Sequence, residues 1–168
     1  FVPTGATVAA IRHLATGWLW DAVRETGGAY GAMARLDPVS GVVTQLSYRD
    51  PHLLETLAVF RAAAAHLAGP LSDDALSGAL VATIAAEDRP RHPGDAAFAA
   101  LERWVTGQDG DWRQARRDEL LAATAQDFHA TGAALAAMAE RAVVLAGPAA
   151  LDRAEAAGVG FSRTPLQA

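Results

Sequence analysis

The sequence predicts an α+β fold, a small and mainly antiparallel sheet packed by helices, and three observations point there. Apolar residues recur at helical spacing along most of the chain. Two adjacent runs, 29–36 and 42–48, alternate as strands about a loop rich in turn residues. Alanine is abundant and favours helix. At 168 residues the chain is long enough for one domain with its own core and short for two, so residues 1–168 are read as a single domain.

The elements follow in order. Residues 6–24 read as a helix, with Val8, Ile11, Leu14, Ala15, Trp18, Leu19 and Ala22 at helical spacing and Gly27 and Gly28 ending it. Ala29 to Leu36 and Val42 to Tyr48 form a hairpin about Asp37-Pro38-Val39-Ser40-Gly41. Alternation puts Val42, Thr44, Leu46 and Tyr48 on one face of the second strand, and Val43, Gln45 and Ser47 on the other. Asp50 reads as an N-cap with Pro51 at the first helical position. That helix carries the stripe Leu53, Leu54, Leu57, Phe60, Ala64 and Leu67, and Gly69-Pro70 stops it. Ser72 caps the next helix, whose inner face is Leu76, Leu80 and Ile84.

Arg89 to Gly94, with two prolines, is a surface loop. A helix through Phe98, Leu101 and Trp104 ends at Gly107, and another begins after Asp111. Thr124 to Asp127 makes a capping box with Asp in place of the usual Glu or Gln. Ala142 to Ala146 is short, apolar and β-branched, and is read as a buried third strand. Pro148 opens a last helix that Gly158 closes. Three strands make a narrow sheet with exposed edges, so another chain, a second copy of this one included, is expected over an edge.

Composition excludes several classes. Hydrophobic residues make up 51% of the chain, yet no run approaches the ~20 apolar residues that cross a bilayer. The first residues carry no basic-then-apolar leader, and nothing in them marks secretion. The lack of cysteine removes disulfide and thiolate chemistry and fits a reducing compartment, taken as the cytoplasm. A net charge of −5 argues against a nucleic-acid partner. The 14 basic residues are all arginine, and the densest group, Arg113, Arg116 and Arg117, reads as a solvated face or a domain contact.

Arg24-Glu25-Thr26-Gly27-Gly28-Ala29-Tyr30-Gly31 is the most informative stretch. An arginine at a helix end and a tyrosine at a strand start, joined by a Gly-Gly turn, can bring a cation and a phenol to bear on one carbonyl oxygen. Spacing alone favours the plainer arrangement in which Arg24 pairs with Asp21 or a helix-end carbonyl and Tyr30 caps the core, because an arginine at a helix C-terminus is ordinary. A phosphate cradle fits poorly. The Gly pair follows a helix and precedes a strand, and there is no Walker lysine.

With Thr16-Gly17-Trp18-Leu19-Trp20-Asp21-Ala22-Val23-Arg24 before it and Leu46-Ser47-Tyr48-Arg49-Asp50-Pro51 after it, this stretch resembles the last domain of the presequence proteases. They are the long-chain branch of the pitrilysin and insulysin zinc peptidases. Arg113-Gln114, Arg116-Arg117 and Thr124 to Phe128 extend the resemblance, which runs from about residue 8 to about 147. It implies the latter part of a pitrilysin-type metallopeptidase domain, here a truncated C-terminal domain of a longer peptidase. The expected partners are the remaining domains and a peptide substrate, with neither nucleic acid nor membrane among them.

The zinc motif of that group, H-x-x-E-H, is absent. The five histidines, His13, His52, His66, His92 and His129, lie far apart in sequence. The fragment is therefore expected to hold no metal and no cofactor and to be inactive alone, with zinc elsewhere in the parent enzyme. The resemblance implies that Tyr30 stabilises the tetrahedral oxyanion, that Arg24 holds a substrate carbonyl beside it, and that Gly27 and Gly28 let the backbone approach the substrate. The alternatives are an inert scaffold or dimerisation subunit of the same fold, and a module that captures an extended peptide at its sheet edge.

Overall fold

A computed structural model describes residues 3–164, and the helices and the sheet lie largely where the patterning puts them. Among these residues there are seven α-helices and one two-stranded antiparallel sheet, an α+β arrangement. Helix α1 (Gly5–His13) starts under Thr4, whose side chain accepts from the Thr7 amide. It runs on without a break into two π-helical segments, Leu14–Trp18 and Trp20–Thr26, bonded i to i+5. The Thr16 hydroxyl donates to the Arg12 carbonyl, and such back-bonding, next to Gly17, loosens the ordinary ladder.

Strands β1 (Gly31–Leu36) and β2 (Val43–Tyr48) pair with Gly31 opposite Tyr48 and Met33 opposite Leu46. Helices α2 (Leu53–Leu67), α3 (Asp73–Glu87), α4 (Pro93–Thr106), α5 (Gly110–Leu121), α6 (Ala125–Ala136) and α7 (Pro148–Ala156) follow. The main core gathers Ile11 and Leu14 from the first helical run, Ala63 and Leu67 from α2, Ala79 from α3, Leu120 from α5 and Phe128 from α6. Leu76, Leu80 and Ile84 close over it from α3. A smaller cluster of Leu19, Val23 and Ala29 packs against Val59 and Phe60 of α2 and anchors the turn between helix and sheet.

Three sequence expectations need correction. Ala142 to Ala146 is not a strand: Val143 is 98% exposed and Leu145 81%, and no other strand lies beside them among the described residues. Side chains suited to a strand do not make one without a hydrogen-bonding partner. Asp50 does not cap α2. Its Oδ1 accepts from the His52 amide at 2.8 Å, closing a turn that delays the helix to Leu53. Helix α5 begins earlier than expected, because Asp109 is its cap and accepts from the Trp112 amide at 2.9 Å. Helix α4 carries Phe98, Leu101 and Trp104 as expected but buries no residue, and Trp104 stands 79% exposed. The caps at Ser72 and Thr124–Asp127 form as read, and Gly107 ends α4 in the left-handed conformation.

Candidate functional site

The turn from helix to sheet is built by its two glycines. A Cβ on Gly27 would stand 2.6 Å from the Val23 carbonyl oxygen, a distance that side chains essentially never show. Gly28 has φ +72°, the left-handed region that suits glycine. Their amides donate to the Ala22 and Arg24 carbonyls, and the Ala29 amide donates to the Val23 carbonyl. Three orphan carbonyls of the helix end are thereby satisfied within the turn. The Gly-Gly pair thus has a sufficient local cause, whatever else it does.

Arg24 sits on the second π-helical segment, and its guanidinium lies 3.8 Å from the centre of the Trp20 ring. Among the described residues it pairs with no carboxylate, so the pairing with Asp21 is not the arrangement adopted. Tyr30 stands just before β1 and is 66% exposed, so it does not cap the core. Its ring meets Tyr48 edge to face at 5.7 Å, and the Arg49 guanidinium lies 5.4 Å from it and 5.3 Å from Tyr48. The Tyr30 amide donates to the Arg49 carbonyl at 3.3 Å. No protein partner takes the Tyr30 hydroxyl among the described residues.

From the sequence Arg49 reads as a structural residue bracing a neighbour, and the structure shows which neighbours it reaches. Its φ of 49° makes it the one non-glycine residue in the left-handed region among those described. Strain of this kind collects where a side chain must point in a particular direction. Here it carries the guanidinium back over both tyrosine rings. The neighbouring outward face of the hairpin is apolar, with Met33 and Leu46 opposite one another and both exposed. Alternation separated the two faces correctly. It left open that the face of Leu46 and Tyr48 turns outward, while Val43, Gln45 and Ser47 turn towards the helices.

Residues 3–146 match the family described as PreP C-terminal domain. The chain belongs to that family. Over 149 residues it is 34% identical to presequence protease 1, chloroplastic/mitochondrial, of Arabidopsis thaliana, covering 88% of this chain and 14% of that protein. It is 32% identical over 118 residues to the mitochondrial presequence protease of Danio rerio, covering 70% of the chain and 11% of the relative. The Saccharomyces cerevisiae presequence protease is 31% identical over 111 residues, or 64% of the chain and 11% of its own length. This presequence protease C-terminal domain thus spans a small part of the relatives it matches.

The resemblance implies zinc in the parent enzyme, so the fit of this chain's side chains to zinc matters. The fold brings His13 and His66 together although 52 residues of sequence lie between them. Their rings stack 5.5 Å apart, 13° from parallel, between Trp18 and Phe128. Imidazole lone pairs lie in the ring plane, so stacked rings cannot both aim at one ion between them. Among the described residues no group of three His, Asp or Glu side chains converges on a point. The described His, Asp and Glu side chains therefore offer no set that fits zinc. His129 is occupied otherwise, its Nε2 lying 3.0 Å from the Gly69 carbonyl oxygen. No helix among the described residues is long and apolar enough to cross a membrane.

Proposed function

We propose that this C-terminal domain forms a wall of the chamber in which a zinc metalloendopeptidase degrades short unfolded peptides. In that reading Tyr30 and Arg24 are its contribution to the chemistry. The carrying observation is Tyr30, exposed and with no partner for its hydroxyl among the described residues while its ring is held by Tyr48 and Arg49. An oriented donor in that condition suits the carbonyl oxygen of a scissile peptide as it gains negative charge. Arg24, stacked on Trp20 and free of carboxylates among the described residues, would hold a neighbouring backbone carbonyl of the same peptide.

Gly27 and Gly28 leave the turn free of side chains, so an extended peptide can pass close to the backbone there. The metal, its ligands and the general base lie in other domains of the same long chain, which are the proposed partners. Residues 1–168 act as one domain of that chain. Its compartment is proposed to be a reducing one, the cytoplasm, on the lack of cysteine.

One observation favours a second reading. The two-stranded sheet has no further strand on either side among the described residues, and Met33 and Leu46 are exposed on its outer face. A sheet of that kind can capture an extended peptide or a second copy of the chain, with the domain inert as a catalyst. The two readings separate in the full-length peptidase carrying Arg24→Gln or Tyr30→Phe. Loss of peptide turnover with unchanged folding supports the catalytic wall. Unchanged turnover in both variants leaves the scaffold.

A further inference from the structure

Half of the chain's arginines surround one cavity. It has a volume of about 650 Å³ and lies between α1, the hairpin, the end of α3, α4 and α5. Arg113, Arg116 and Arg117 come from α5, Arg12 from α1 and Arg35 from β1. Arg91, just before α4, and Arg103 on it complete the set. Only two carboxylates line the same space, Glu87 and Asp88, and Asp88 is held by Arg117 at 3.0 Å. In a chain of net charge −5 this concentration of one sign is not a product of composition.

The positive charge is mostly uncompensated. Arg12, Arg35, Arg91, Arg103 and Arg113 form no ion pair among the described residues. Arg116 is engaged by the Pro3 carbonyl and by Glu119, yet its Nη2 is buried with no partner. Partial desolvation at the cavity wall, with the Arg113 and Arg91 guanidiniums nearby, holds Arg103 below its ordinary pKa. Like charges gathered around a cavity repel, and a bound anion relieves the repulsion at every one of them.

We infer that this cavity is a binding site for a small anion bearing several phosphate groups. The size falls within the range of small-molecule sites. A guanidinium offers paired N–H donors that match phosphate oxygens two at a time. Cations on several walls of one compact cavity suit charges packed on a single small body. An acidic peptide instead spaces its carboxylates along an extended chain at ~3.3 Å per residue or more. Gln108 and Gln114 line the same cavity and supply neutral amide donors beside the cations.

The test is calorimetric titration of the full-length protein with inorganic tripolyphosphate, orthophosphate, ATP and a hexaglutamate peptide at about 0.15 M salt. The expected result is saturable one-to-one binding of tripolyphosphate, about tenfold or more tighter than orthophosphate. Arg103→Gln with Arg113→Gln should weaken it about tenfold or more, while Arg153→Gln on α7 leaves it unchanged. ATP binding tighter than tripolyphosphate assigns the phosphates to a nucleotide, and equal binding assigns them to a free polyphosphate. Without ligand the double variant should unfold close to wild type, since the repulsion it loses from Arg91 and its neighbours outweighs the attraction of Arg103 to Glu87 and Glu102, and tripolyphosphate should raise the Tm of wild type alone. Three results overturn the site: no saturable binding, an equal loss in the Arg153 control, or tighter binding of hexaglutamate than of tripolyphosphate.

Discussion

The Arg49 carbonyl oxygen accepts the Tyr30 amide at 3.3 Å while the Arg49 guanidinium lies 5.4 Å from the centre of the Tyr30 ring. One residue thus fixes both the backbone and the ring of the tyrosine proposed to act on substrate. It does so from a left-handed conformation at φ 49°.

Arg49→Gly should therefore separate stability from turnover. The substitution removes backbone strain of about 1 kcal/mol or more and forfeits two exposed cation–π contacts of about 0.5–1 kcal/mol each. Net stability by denaturant titration is expected to stay within about 1 kcal/mol of wild type. Turnover in the full-length peptidase should still fall, because the Tyr30 ring loses its cation, and Arg49→Lys should recover part of it. If Arg49 only shapes the turn, Arg49→Gly leaves turnover intact.

Two phenylalanines should respond in opposite ways. Phe128 is fully buried at the centre of the main core, and Phe128→Ala is expected to cost about 3–5 kcal/mol. Phe98 sits on α4, which buries nothing, so Phe98→Ser should change stability by about 0.5 kcal/mol or less. Equilibrium unfolding compares the pair, and similar losses would show that α4 packs on the core.

The stacked histidines make stability sensitive to mild acid. Burial lowers the pKa of His66 below its ordinary value of 6.5, and burial together with the His66 charge lowers that of His13. In the window between the lowered values and 6.5 the unfolded chain binds more protons than the folded one. Stability contributed by the neutral rings is present above pH ~6.5 and is lost as pH falls through the lowered values. Tm measured from pH 7.5 down to pH 5 should therefore drop, and His66→Gln should flatten that drop. An unchanged slope in the variant would assign the acid sensitivity to other groups.

Much of the fold was legible because its signals are local. Ser72 and the Thr124–Asp127 box need only their own neighbours to form, and the hairpin needs only its turn and its alternation. Gly27 and Gly28 were readable as a helix end for the same reason. What escaped depends on partners distant in sequence. Ala142 to Ala146 has the residues of a strand but lacks a neighbour to pair with, and the outward turn of the Leu46 face depends on where the helices lie. The π-helical winding of residues 14–26 keeps Leu14 and Leu19 inside, as helical spacing expects, but buries Val23 where that spacing put Ala22. Within the candidate site, Arg24 and Tyr30 were singled out by resemblance. Arg49 reads from the sequence as a brace, but that it braces Tyr30 and Tyr48 became visible only through its backbone angle and its position over two rings.

On the proposed reading the Tyr30 hydroxyl works on the transition state rather than on the bound peptide. Steady-state kinetics of Tyr30→Phe in the full-length, zinc-replete peptidase separates the two. A fall in kcat of ~10²–10³ with little change in KM is expected. A rise in KM with kcat preserved, or no change in either, removes Tyr30 from the chemistry.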